Sequence, residues 1–152
     1  MRITLDTNIL VSAFISKEGQ PAKILDLALT FQEIRLVLSE AILREFREVM
    51  LREEVRERFG YSARDIESFV QHLRGVSNMV AVKSRFKVVK DDPNDDMVVN
   101  TAIDGKAEWI VSGDAHLWKM RAIRGIRIVN SRQMLRIVSR RFGRLIIGPE
   151  EI

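Results

Sequence analysis

Twice in this chain a short apolar strand runs out into an acid that opens a helix, and that recurrence constrains the fold more than any other feature. Met1 to Leu5 is an apolar strand ending at Asp6-Thr7-Asn8, after which Ile9, Leu10, Ala13 and Phe14 recur at helical spacing. Ala107 to Val111 reads as a second, buried strand, and Ser112-Gly113-Asp114 turns out of it into a helix beginning near Ala115. Strand-to-helix turns of this kind lie at the carboxyl edge of a parallel sheet, where open α/β folds bind ligands. A lone acid there serves well enough as a helix cap. Two in equivalent places raise the prospect of a shared site.

The helix that follows Asp91-Asp92-Pro93-Asn94-Asp95-Asp96 adds further acids. Asp92 is expected as its N-cap and Pro93 at its first position, with Val98, Val99, Ala102 and Ile103 on the apolar face. Elsewhere Pro21 is expected to start a helix from Ala22 to Phe31, and Ile34 to Leu38 forms a strand. Ser39 caps a helix from Glu40 to about Arg52 whose stripe is Ile42, Leu43, Phe46, Val49 and Met50, with Glu45 beside it. Alternating charges between Arg44 and Arg58 read as a solvated helical surface with i,i+4 pairs. Ser62 caps the next helix, with Ile66, Phe69, Val70 and Leu73 inward up to Gly75. Helix follows helix over about 40–75, so a hairpin projecting beside the sheet is expected. Met79 to Val82 and Phe86 to Val89 are candidate extended pieces. Gly125 precedes a last strand, Ile126 to Val129, and Asn130 or Ser131 caps a helix that stops at Gly143. The tail, 143–152, offers an apolar run for an edge strand or a subunit contact. The alternation predicts one α/β domain spanning 1–152.

Composition narrows the chemistry. The chain has no cysteine, which removes disulfides, thiolate metal sites and thiol nucleophiles together. Twenty-five Lys+Arg against 21 Asp+Glu give a formal charge of +4, compatible with a polyanionic partner without demanding one. With no basic-apolar leader and no run of membrane-spanning length, a soluble, cytoplasmic protein is expected.

Asp6, Glu45, Asp95 or Asp96, and Asp114 come from separate segments. Converging carboxylates repel, and in a low-dielectric cleft they either take up protons or bind cations. Oxygen-only ligands favour Mg²⁺ or Mn²⁺, ions that activate water and stabilise charge on a phosphodiester. Hydrolysis is the expected reaction.

In order and spacing, Asp6-Thr7-Asn8, Ser39 with Glu45, Asp92-Pro93-Asn94-Asp95-Asp96 and Val111-Ser112-Gly113-Asp114 resemble the motifs of the PIN-domain family. The resemblance runs from Asp6 to about Val129. It implies a three-layer α/β/α sandwich with a central, mainly parallel sheet, and a metal-dependent, VapC-like endoribonuclease acting as the toxin of a toxin–antitoxin pair. On that reading Asp6, Glu45, Asp96 and Asp114 are the catalytic acids, and Asp95 joins them as a metal ligand. Asp96 is preferred over Asp95 because an acid at the third helical position can serve a capping box. Asn8 and Ser112 support the acids, and Arg85, Lys87, Lys119 and Arg121 are candidate phosphate contacts. RNA, an antitoxin protein and a second copy of the chain are the implied partners. The pattern departs from the family at Ser112, where threonine is common, at Asn94, where an acid is frequent, and at His116, where an acid often follows the last aspartate. His116 reads as structural ahead of a proton-donor or phosphate role, His72 has no evident partner, and Trp109 and Trp118 read as core residues.

Two other functions fit parts of the pattern. Asp6 could be the nucleophile of an aspartyl phosphatase, although that chemistry wants a second acid where Asn8 stands. Alternatively the acids only cap helices, in a binding module that meets RNA or protein through its surface.

Overall fold

The computed structural model describes residues 1–87 and 93–146. A six-stranded sheet runs through the centre, in the order β3-β2-β1-β4-β6-β5. Its strands are β1 (Arg2–Leu5), β2 (Arg35–Leu38), β3 (Asn78–Met79), β4 (Trp109–Val111), β5 (Ala122–Ile123) and β6 (Ile126–Val129). All neighbours are parallel except β5, which pairs antiparallel with β6. Around it lie α1 (Thr7–Ile15), α2 (Gln20–Thr30), α3 (Glu40–Met50), α4 (Glu53–Phe59), α5 (Ala63–Val76), α6 (Pro93–Asp104), α7 (Ala115–Trp118) and α8 (Ser131–Ile146). This is the helix-flanked, mainly parallel sheet that the alternation of elements predicts. Among the described residues no helix is long and apolar enough to cross a membrane.

The central strands are sealed on both faces, as parallel sheets with helical crossovers require. Ile3, Leu5, Val37, Leu38, Ile110 and Val111 are at most 0% exposed. Helix α6 packs over β1, β2 and β4 and buries Val98, Val99 and Ala102 completely. Its C-terminal end needs Gly105. A Cβ there would come within 2.1 Å of Val37 Cγ1 and 2.8 Å of Val80 Cγ2.

Helices α3 and α5 bury the stripes expected of them: Ile42, Leu43, Phe46, Ile66, Val70 and Leu73 are all buried, while the intervening α4 buries no residue. Gly60 ends α4 at φ 69°, a left-handed conformation that glycine adopts without a side-chain penalty. An edge-to-face cluster holds this part together. Phe14 of α1 stands 6.3 Å from the Phe46 ring, 5.2 Å from Tyr61 and 5.1 Å from Phe69. The charged stretch differs from expectation. Among the described residues its ion pair runs between helices, Arg47 to Glu67 at 2.7 Å, and outside the stretch Arg74 forks onto Glu40 at 2.7 and 2.9 Å.

Other boundaries moved by small amounts. Strand β3 is two residues long and starts one residue before the extended piece expected at Met79. Phe86 and Lys87 form no regular element, and Val88, Val89 and the expected cap Asp92 lie outside the described residues. Asn130 caps α8, accepting from the Gln133 N–H at 2.9 Å, and the helix runs past Gly143 to Ile146 with a kink at Phe142. The tail beyond 146, with its expected edge strand, also lies outside the described residues.

Candidate active site

Asp6 follows Leu5 directly and is still tied to the sheet, its N–H donating to Val111 O at 2.9 Å. The carboxylate is therefore held at the rim of the central strands, only 6% exposed. Oδ1 accepts the Thr7 N–H at 2.7 Å, and Oδ2 accepts the Ser112 hydroxyl at 2.6 Å and the Asn8 amide at 3.3 Å. Burial raises its pKa above the usual carboxylate value. The Ser112 and Thr7 hydrogen bonds oppose that rise, and the nearby charges of Glu45 and Asp114 add to it.

The two strand ends are laced to each other. Ser112 Oγ donates to Asp6 and accepts the Asp114 N–H at 3.0 Å, while Asn8 Oδ1 accepts the Gly113 N–H at 3.1 Å. Asp114 caps α7 through Oδ1, which takes the His116 N–H at 2.8 Å. Glu45 is brought in from α3. The neighbouring Phe46 is buried against Phe14 and so fixes the phase of the helix, and Thr7 Oγ1 donates to Glu45 Oε2 at 2.7 Å. Thr7 was not singled out from sequence as a site residue. Its place between Asp6 and Asn8 was the available signal.

These residues border one cleft of about 380 Å³, lined by Asp6, Glu45, Asp95 and Asp114 with Asn94 and Thr7 among the rest. Asp95 is on its wall and 5% exposed; Asp96, half-buried, is not on the wall. Helical phase gives the reason. Asp95 precedes Val98, Val99 and Ala102 by three, four and seven residues, and all are fully buried, so the core-facing side of α6 carries Asp95 with it. Among the described residues no lysine, arginine or histidine lines the cleft. Arg85, Lys87, Lys119 and Arg121 are exposed elsewhere, His116 and His72 are exposed, and Trp109 is a core residue.

The donor set is all oxygen, which suits a hard divalent cation. A carboxylate oxygen accepts two hydrogen bonds. Asp6 Oδ2 already has two donors, whereas Asp6 Oδ1 has one, and among the described residues Glu45 Oε1 and Asp114 Oδ2 have no donor. Those atoms are available to a cation. As the side chains stand, no group of three acidic or histidine residues among the described ones is drawn together closely enough to hold an ion. Like charges without a counter-ion keep apart, and Glu45 is turned onto Thr7.

Comparison with known proteins identifies the architecture. The sequence pattern of the PIN domain matches residues 2–116, a span that includes Asp6, Glu45, Asp95 and Asp114. The chain belongs to the PIN-domain family. An uncharacterized protein of Methanocaldococcus jannaschii is 31% identical over 121 residues, covering 80% of this chain and 76% of that one. Among solved structures, VapBC2 from Rickettsia felis, bound to a DNA fragment from its promoter, has a chain that superposes with a TM-score of 0.59 at 15% identity, over 86% of this chain and 98% of that chain. VapBC-1 from nontypeable Haemophilus influenzae gives 0.56 at 15% identity, over 87% and 99%. At such identities the likeness is one of fold.

Proposed function

We propose that this PIN domain is a Mg²⁺- or Mn²⁺-dependent endoribonuclease, the toxin of a toxin–antitoxin pair. One observation carries the reading: Asp6, Glu45, Asp95 and Asp114, from four separate segments, line one cleft. A cluster that only capped helices would have no reason to share a cavity. When bound there, a divalent cation supplies water activation and neutralises charge building on a phosphodiester. The residues themselves have distinct tasks. Asp6 is clamped by Thr7, Ser112 and Asn8 and offers a fixed carboxylate edge, while Glu45 and Asp114, each held through one oxygen, complete the set by rotation. Asp95, in preference to Asp96, supplies the α6 carboxylate.

The aspartyl-phosphatase alternative loses ground at Asn8. Its amide is already committed on both sides, donating to Asp6 and accepting from Gly113, so it has no spare group for acid/base work. The partner assignments follow from the same reading. An apolar groove of about 750 Å³, lined by Phe14, Leu25, Leu29, Phe59, Tyr61 and Phe69, is the kind of surface an antitoxin or a second copy would cover, and Phe59 is 44% exposed there. The cytoplasm is the proposed setting, in keeping with a chain that has no cysteine.

Incubating the purified chain with single-stranded RNA tests the reading. Cleavage is expected with Mn²⁺, none with chelator, and none from the Asp6→Asn/Asp114→Asn variant with its fold retained by circular dichroism. Equal cleavage by that variant overturns the assignment.

A further inference from the structure

Helices α3 and α6 each bring one acid to the cleft, Glu45 and Asp95, and the two helices touch. Two hydroxyls are buried at that contact. Ser39 is 2% exposed and Thr101 0%, and their side-chain oxygens stand 2.8 Å apart. What else each group does fixes the direction of the bond. Thr101 Oγ1 donates its proton to Met97 O at 2.9 Å, so Ser39 must donate to Thr101, and Ser39 Oγ in turn accepts the Ile42 N–H at 3.4 Å. One chain of donors thus runs from the first turn of α3 to a carbonyl of α6. A cap for α3 needs only the Ser39 oxygen, with no threonine opposite. Thr101 is a poor helix former, and its bond back to Met97 slightly disfavours the helix. A buried hydroxyl pair also adds little net stability over apolar groups of the same shape. What it adds is direction, because apolar faces can slide over one another and a hydrogen bond of set length and angle cannot.

We propose that Ser39 and Thr101 are positioning residues for the cation site, holding α3 and α6 at the separation that lets Glu45 and Asp95 serve one ion. The inference rests on the nuclease reading of the cleft. Neither hydroxyl lines the cleft, so both act through the helices. Glu45 lies six residues after Ser39, and Asp95 six residues before Thr101, which puts each acid about 9 Å along its helix from the bridge. A small change of angle at the contact is carried to both carboxylates. The Thr7 hydroxyl orients the Glu45 side chain, and the Ser39–Thr101 bond places the helix that bears it.

The test uses the full chain. Thr101→Val keeps the shape of the side chain and removes its hydroxyl. Calorimetric Mn²⁺ affinity is expected to fall about tenfold, the lower end of what losing a group behind a metal ligand costs. In RNA cleavage at saturating Mn²⁺, kcat should fall while KM for RNA stays at the wild-type value, and Thr101→Ser should restore both affinity and kcat. Ser39→Ala combined with Thr101→Val should weaken Mn²⁺ binding no further than the worse single variant, since both break one bond. Thr4→Val is the reference. Its hydroxyl is buried on β1 with no hydrogen-bond partner among the described residues, and its loss should leave Mn²⁺ affinity unchanged. Wild-type Mn²⁺ affinity and kcat in Thr101→Val, even with a lowered Tm, would overturn the positioning role while the nuclease reading stands. So would a fall that Thr101→Ser fails to repair or that Thr4→Val reproduces. Should Thr101→Val not fold, Ser39→Ala, which leaves the bond to Met97 in place, decides on the same two measurements. If wild type neither binds Mn²⁺ nor cleaves RNA, the nuclease reading fails and this assignment with it.

Discussion

Asp6 and Asp114 occupy equivalent turns, each capping a helix with Oδ1, yet their surroundings differ in kind. Asp6 comes immediately after its strand, is hydrogen-bonded into the sheet through its own N–H, and is 6% exposed. Asp114 comes after the Ser112-Gly113 turn, farther out, and is half-buried. Three donors fix the first carboxylate and one holds the second. The same local motif therefore yields a rigid, desolvated acid in one place and an adjustable one in the other. The depth of the turn in the sheet goes with the difference, and the caps differ too, Asp6 taking the N–H of the next residue and Asp114 that of the second residue on.

The largest effect should come from removing the rigid member. Asp6→Asn is expected to cut the rate of Mn²⁺-dependent RNA cleavage more than about a hundredfold, beyond what loss of an outer-sphere support usually costs. Asp114→Asn should cost less, and single-turnover rates for the two decide whether the asymmetry reaches the chemistry. Equal losses would break the comparison.

Support residues come next. Ser112→Ala removes the 2.6 Å bond to Asp6 and the acceptor for the Asp114 N–H together, so a loss of about ten- to a hundredfold is expected, as for groups that orient metal ligands. Thr7→Val removes only the hydroxyl that holds Glu45 and should cost about 1 kcal/mol of stability in urea unfolding, with a smaller loss of rate. If Thr7→Val proves the more damaging to rate, then Glu45, and not Asp6, is the fixed point of the site.

The smallest effect is one of pH. Folding raises the Asp6 pKa, so the folded state holds a proton that the unfolded chain has released in the interval above 3.8. Stability of the metal-free protein should therefore fall as pH rises through that interval, and Asp6→Asn should remove the slope and raise the metal-free Tm at neutral pH. Asp104 runs the other way. The Ser84 hydroxyl first, then the Ser84 and Lys83 N–H groups, hold its pKa below 3.8, so its contribution is full above that value and disappears as pH falls through the folded pKa. Urea titrations of Asp6→Asn and Asp104→Asn across acid pH should show slopes changed in opposite senses.

Much of this was legible because acid, strand and helix coincide in short segments. The β1 turn at Asp6, the Ser39 and Ser62 caps and the β4 turn at Asp114 are local signals, and the structure has each of them where the residues ask for it. Long-range packing was less legible. The buried stripes of α3 and α5 could be read, but not what they meet: Phe46, Tyr61 and Phe69 gather around Phe14, which no one segment announces. Strand β5 is two residues long and exists through its pairing with β6. The preference for Asp96 over Asp95 came from capping logic at Asp92, whereas the helical phase of Val98, Val99 and Ala102 puts Asp95 on the cleft.

Calorimetric titration of Mn²⁺ into the metal-free chain, beside the Asp6→Asn/Asp114→Asn variant, tests most directly whether the acids of this cleft form one cation site. Saturable binding by the wild type, accompanied by a rise in Tm and absent from the variant, is the predicted result. No saturable binding by the wild type, or identical isotherms for the two proteins, would contradict it.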